Sequence, residues 1–273
     1  MVVFAWRRES AYLGTKQGDQ MRRATLRARI KAGEVLAGTF VKVPAHEIVE
    51  VLAQTGLDFI CLDAEHGAFD RARMDACLAV GRALDFPVLV RVAAGTPQDV
   101  LQALDAGAVG IVVPHVDSVE KAQAMALASR YGPGGRGFAG GTRWGDFGLH
   151  DMATLVARSN DETVLIVQIE EVAGVDAAAG IAAVPGVDAL FIGPADLSLN
   201  YGRTDLNGPE LQAALVSVGA VARGAGKGYV TFVGDVARAA EWQKHGVNVF
   251  FVSTELALMK ATLADVAKGI RAL

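Results

Sequence analysis

Four times along the chain a glycine and a small or apolar residue introduce an apolar strand: "GLDFICLD" from Gly56, "GAVGIVVP" from Gly107, "GVDALFIGP" from Gly186 and "GVNVFFVS" from Gly246. Each follows a helical stretch, so the glycine suits the left-handed position that ends a helix just before the next strand. Between these units lie four more strand candidates, "LAGTFVKV" (36–43), "PVLVRV" (87–92), "TVLIVQIE" (163–170) and "GYVTFVG" (228–234). Amphipathic helical stretches such as "AHEIVEVLAQT", "TPQDVLQALDA" and "SVEKAQAMALASRY" separate the strands. The strands are near-continuous apolar runs, as a parallel sheet covered on both faces requires. Eight β-α repeats in 273 residues predict an α/β chain folded as a single-domain (β/α)8 TIM barrel, a fold of roughly 250 residues, ahead of an open doubly wound sheet.

A hydrophobic fraction of 52% is enough for one large core, and a net charge of -4 argues against nucleic acid or an anionic membrane as partner. No apolar run approaches the roughly 20 residues that span a bilayer. Cys61 and Cys77, both in apolar segments, are expected to be reduced core residues of a cytoplasmic protein. "MVVFAWRRES" places its arginines after the apolar stretch, the wrong order for a signal peptide. Residues 1–25 are expected to form a flexible N-terminal extension, and residues 26–273 the barrel.

In such a barrel the chemistry sits at the C-terminal strand ends. Strand two ends in "DAEH", strand three in Arg91, strand five in "QIEE" and strand six in "GPADLS". Gln168 and Glu170 share a parity, so both point inward if Val167 and Ile169 pack against helices. Glu170 and Asp196, on neighbouring strand ends beside Gln168, compose an all-oxygen site suited to magnesium or manganese; as isolated acids they would equally well cap the helices that follow. Arg91 has the fork to grip a carboxylate or to pair with Asp63 or Glu65, and His66 reads either as an acid-base group or as a structural histidine. The glycine-rich stretch from Tyr131 to Asp151, "GPGGRGFAGGTRWGDFG" at its heart, is too long for an ordinary connection and is expected to be an active-site lid. Its Arg136 and Arg143 would then grip an acidic aldehyde or lie as surface charges on a flexible loop, or Trp144 and Phe147 would line an apolar pocket.

The segments "DFICLDAEHGAFD", "PVLVRVAAGTPQDVLQALDAGAVGIVVPHV", "GPGGRG", "VQIEEVAGV" and "GVDALFIGPADLSLNYG", in order over most of residues 34–260, resemble the HpcH/HpaI family of metal-dependent class II pyruvate aldolases. The resemblance implies an aldehyde-lyase that reversibly cleaves a 4-hydroxy-2-oxo acid to pyruvate and an aldehyde through a metal-stabilised enolate. It implies a divalent metal ion (magnesium, manganese or cobalt) on Glu170 and Asp196, and no organic cofactor. Arg91 and Gln168, with Gly193, Pro194, Ala195 and Asp196, would bind the 2-oxo acid. His66 would be the acid-base residue, linked to Asp105, which by its own position at a helix end near the opposite barrel mouth reads as a surface residue and would act in its own or a neighbouring subunit. The family's assembly is a homohexamer of dimers that exchange a terminal helix. Phe40, where many members have tryptophan, and the lid sequence depart from the common pattern at the substrate pockets.

Rival chemistries follow from the same residues. A Schiff-base aldolase needs a lysine in the barrel mouth, and only Lys42 ends a strand. Oxaloacetate decarboxylation or lysis of a citrate- or malyl-CoA-type substrate would use the same enolate. A barrel that only binds an oxo acid would hold the metal without exchanging the methyl protons of pyruvate.

Overall fold

The structure is a computed structural model that describes residues 22–273. Eight parallel strands close in sequence order into a barrel: β1 (Leu36–Val41), β2 (Phe59–Asp63), β3 (Val88–Arg91), β4 (Gly110–Val113), β5 (Val164–Ile169), β6 (Ala189–Ile192), β7 (Gly228–Val233) and β8 (Val249–Thr254). Seven lie within the stretches expected from the sequence, and β8 runs one residue past its own, to Thr254. Gly56, Gly107, Gly186 and Gly246 all sit at φ between 84° and 105°, the left-handed geometry that their repeated position demands.

Around the barrel run α1 (Arg22–Lys31), α2 (His46–Leu52), α3 (Arg71–Ala83), α4 (Pro97–Asp105), α5 (Val119–Ala128), α6 (Met152–Glu162), α7 (Val172–Ala183), α8 (Pro194–Asn200), α9 (Pro209–Gly224), α10 (Val236–Gln243) and α11 (Glu255–Ile270). Strand parity divides the buried residues into two cores. Ile60, Leu62, Val167, Ile169, Leu190 and Ile192 face outward into the helix layer. Phe40, Phe59, Cys61, Leu89, Ile166, Phe191 and Phe251 fill the barrel itself. Phe251 is the hub of that interior, its ring 4.7 Å from Phe40, 4.9 Å from Phe191 and 5.0 Å from Phe59.

The N-terminal mouth is stoppered by α1, whose Leu26 and Ile30 belong to the barrel interior. The boundary expected at residues 25 and 26 therefore falls inside a helix: Arg22–Thr25 is its first turn, with the Arg22 and Arg23 amides donating to Asp85. The remainder of the expected extension, residues 1–21, lies outside the described residues.

The expected lid is not at the catalytic end of its own barrel. Residues 131–151 join the end of α5 to the beginnings of α6 and β5, which places them at the N-terminal mouth. There Asp146 pairs with Arg158 (2.7 Å) and Arg82, Arg143 with Asp75 (2.8 Å), and the Trp144 amide donates to the Asp105 carbonyl. Length and glycine content mark such a segment as special but do not say at which mouth it lies; the α-to-β connection does.

At the other terminus α11 packs on β1 and β8 yet leaves Leu256, Leu258, Met259, Leu263, Val266 and Ile270 exposed. No helix among the described residues is long and apolar enough to cross a membrane.

Asp188 ties α1 to the sheet. Only 1% exposed, it accepts from the Leu165 amide (2.9 Å), Arg27 Nε (2.8 Å) and Arg130 Nη2 (3.3 Å). Asp188→Ala would leave two sequestered guanidinium groups without their anion, and is expected to cost about 3–5 kcal/mol in urea unfolding.

Candidate active site

Asp63 ends β2 directly beside Arg91 at the end of β3, the two being paired in the sheet register. Asp63 is fully buried, and Arg91 is 8% exposed. Arg91 Nε and Nη2 donate to the two Asp63 carboxylate oxygens at 2.9 and 2.7 Å, and Nη1 lies 3.2 Å from Glu65 Oε2. Its guanidinium also stacks 4.4 Å above the Phe40 ring. Burial works against ionisation of Asp63, but the Arg91 fork and charge, the His66 amide and Lys42 outweigh it and hold the carboxyl below its ordinary range. Both ion pairs that the sequence allowed for Arg91 are thus formed.

The Asp63 Oδ1 atom also accepts from the His66 backbone N–H at 3.0 Å, fixing the turn that carries the imidazole. His66 is exposed, its Nε2 3.8 Å from Glu65 Oε2, and it lines a cavity of about 410 Å³. That cavity is also bounded by Arg91, Gln168, Gly193, Pro194, Ala195 and Asp196, so these predicted residues come together in one place.

Gln168 and Glu170 are each 2% exposed, and their parity is the expected one, Val167 and Ile169 facing the helices. Gln168 Nε2 donates to Glu170 Oε2 (2.8 Å), and the His115 amide to Glu170 Oε1 (2.7 Å). Burial pushes the Glu170 pKa up, with Asp196 and Glu65 adding to the rise and His115 opposing it. A Cβ at Gly193 would come 2.9 Å from both Cβ and Oε2 of Glu170, so only glycine lets the chain pass so close to this carboxylate. Asp196 lies exposed in the first turn of α8, on the cavity wall.

Asp105 does not join this group within the chain. At the end of α4 it pairs with Arg136, by the mouth that holds residues 131–151, and it does not line the cavity. Neither Arg136 nor Arg143 lines it either; the cations that do, besides Arg91, are Lys42 and Arg238. Lys42 Nζ is 3.7 Å from Asp63 Oδ2. Arg238, at the start of α10, is held by Glu241 (2.8 Å) and Asn207 (3.0 Å) beside Leu206, Phe232 and Trp242.

His115 went unnoticed in the sequence. It follows β4 in "VVPHV", the same strand-end position that singled out His66 and Arg91. Its Nδ1 is 2.9 Å from Glu171 Oε1 and 3.2 Å from Glu170 Oε1, and its Nε2 is 3.3 Å from Glu65 Oε1. Partial burial opposes its charge, but Glu170, Glu171 and Glu65 outweigh it and raise the pKa.

The donors suit a divalent ion. Glu65, His115 and Glu170 each present a ligand atom within 4.8 Å of the others, and the buried Gln168 Oε1 has no hydrogen-bond partner among the described residues. The carboxylates favour a hard cation, and the imidazole widens the choice.

Comparison with known proteins identifies the family and agrees with the fold. The model of the HpcH/HpaI aldolase/citrate lyase family matches residues 36–260. A hydroxypyruvate/pyruvate aldolase of Roseovarius nubinhibens is 32% identical over 87% of this chain and 93% of its own. A 4-hydroxy-2-oxovalerate aldolase of Novosphingobium aromaticivorans is 37% identical over 65% of this chain and 68% of its own. The crystal structure of a HpcH/HpaI aldolase/citrate lyase family protein from Burkholderia cenocepacia superposes with a TM-score of 0.86 at 32% identity, covering 91% of this chain and 99% of that one.

One prediction concerns Asp63. Because its folded-state pKa lies below the ordinary value near 4, its ionised pairing stabilises the fold above that pH and is lost as pH falls through the lower, folded-state value. Asp63→Asn is expected to lower stability by about 3 kcal/mol at neutral pH. In urea titrations the gap from wild type should stay constant down to about pH 4.5 and close below about pH 4.

Proposed function

The chain belongs to the HpcH/HpaI aldolase/citrate lyase family, and from that premise we propose that it is a class II, divalent-metal-dependent pyruvate aldolase, reversibly cleaving a 4-hydroxy-2-oxo acid to pyruvate and an aldehyde. The observation that carries this reading is the convergence of His66, Arg91, Gln168 and Asp196 on one cavity, with Glu170 hydrogen-bonded to Gln168 at its base. The relatives' names support a small 2-oxo acid as the shared half of the substrate.

Glu170 and Asp196 would hold a magnesium, manganese or cobalt ion, which when bound supplies Lewis-acid polarisation of the 2-oxo group. Arg91 offers positive charge to the carboxylate and to the oxygen on which charge develops, and its pairing with Asp63 and Glu65 spares it any reorganisation as it does so. Gln168 aligns the oxo acid, whose carboxylate lies along Gly193–Asp196 at the start of α8. His66, at the open side of the cavity, takes the proton of the 4-hydroxyl in cleavage and returns it in synthesis.

The aldehyde half lies towards Phe40, Phe232, Leu206 and Trp242, an apolar wall with Arg238 at its edge. Arg238 is therefore the group, in place of Arg136 and Arg143, that would select an acidic acceptor. A homohexamer is the assembly that fits the exposed apolar residues of α11, which a helix-exchanging partner would cover. Asp105 would reach His66 of a neighbouring subunit in it. Small molecules are the substrates, and a soluble, cytoplasmic setting suits the chemistry.

The test is proton NMR of pyruvate in heavy water. Exchange of the methyl protons should appear with added magnesium, manganese or cobalt and vanish with chelator; binding without exchange would replace the aldolase with an oxo-acid-binding barrel. In aldol cleavage His66→Ala should lower kcat by about 100-fold or more with little change in KM. For the acceptor, Arg238→Ala should lower kcat/KM for succinate semialdehyde relative to butanal by about tenfold, the worth of one charged hydrogen bond.

A further inference from the structure

His115 is held in an unusual way. Its backbone adopts φ 56°, a left-handed conformation that costs a non-glycine residue about 1–2 kcal/mol. The strain is maintained from both sides: the His115 N–H donates to Glu170 Oε1 at 2.7 Å, and its carbonyl accepts from Lys121 Nζ at 2.8 Å. The His115 backbone is thereby tethered to the Glu170 carboxylate.

The two ring nitrogens have different surroundings. Nδ1 lies 2.9 Å from Glu171 Oε1, hydrogen-bonding distance, and Nε2 faces Glu65 Oε1 at 3.3 Å. With the ring proton on Nδ1, donated to Glu171 with Glu170 Oε1 also 3.2 Å away, Nε2 presents its lone pair towards Glu65. That is the arrangement of a metal-binding histidine, which donates its second N–H to a carboxylate and thereby fixes the tautomer and raises the basicity of the ligating nitrogen. Ligand atoms of Glu65, His115 and Glu170 fall within 4.8 Å of one another, close to the span that one ion bridges with bonds of about 2.0–2.3 Å. Gln168, 2% exposed, adds an independent sign of a ligand, since its Oε1 has no partner among the described residues while its Nε2 orients Glu170.

We propose that His115 Nε2 is a nitrogen ligand to the divalent ion held at Glu170, oriented by Glu171. This rests on the aldolase reading only in that Glu170 holds the ion. The alternative is that His115 merely forms ion pairs with the surrounding carboxylates. An imidazole ligand shifts selectivity away from magnesium, which prefers oxygen, and towards manganese, cobalt and zinc.

Pulsed electron paramagnetic resonance on the full-length protein loaded with manganese(II), without substrate, separates the two. Wild type should show nitrogen-14 coupling to the metal, and His115→Ala should lose it while still binding manganese. Calorimetry should show the cobalt-to-magnesium affinity ratio falling about tenfold or more in His115→Ala. Manganese bound in wild type without nitrogen coupling overturns the proposal and leaves the aldolase reading standing. Metal affinity in Glu170→Gln equal to that of wild type would instead overturn the placement of the ion at Glu170, and the histidine ligand with it.

Discussion

The ion pair between Asp63 and Arg91 is the contact on which the mouth of the barrel depends. A carboxylate with no exposure at the end of β2 would be prohibitively costly alone, and β3 delivers the one side chain whose planar fork satisfies both of its oxygens. The same carboxylate sets the turn that carries His66. Arg91 in turn faces Phe40 and holds Glu65, whose other oxygen lies against His115. Four strand ends are thus linked through one buried pair, and the groups proposed to bind and protonate substrate need little rearrangement to act.

Charge is distributed unevenly around this centre. Glu65, Glu170 and Glu171 crowd the ends of β2 and β5 about a single histidine, with Asp196 close enough to help raise the pKa of Glu170. Like charges brought together in this way repel, and the burial of Glu170 sharpens the cost. A divalent cation converts that repulsion into attraction, which is the physical sense in which the site is built around an ion. Gly193 serves the same end by allowing the β6 strand end to approach Glu170 closely.

Much of this was legible in the sequence because backbone rules are local. A glycine that must be left-handed and a run that must be buried on both faces recur at β-α spacing, and parity along "VLIVQIE" correctly turned Gln168 and Glu170 inward. What escaped were facts of three-dimensional placement. Residues 131–151 have the composition of a lid, yet their connection carries them to the opposite mouth, together with Arg136, Arg143 and Asp105. Arg238 reaches the cavity from α10, which no sequence motif marked. His115 obeyed the strand-end rule but was hidden in an apolar segment, and its nearness to three glutamates depends on a left-handed backbone that only the folded chain reveals.

The stopper formed by Leu26 and Ile30 leaves the barrel a cul-de-sac. The proposed oxo-acid half of the cavity is floored by the buried Gln168 and Arg91, and the aldehyde half is bounded by Leu206, itself 43% exposed. Entered from the C-terminal mouth, an oxo acid seated against Gln168 and Arg91 would arrive before the aldehyde in the synthetic direction and leave after it in cleavage. The order of substrate addition would then be a property of barrel architecture, decided at the end of the molecule farthest from the chemistry.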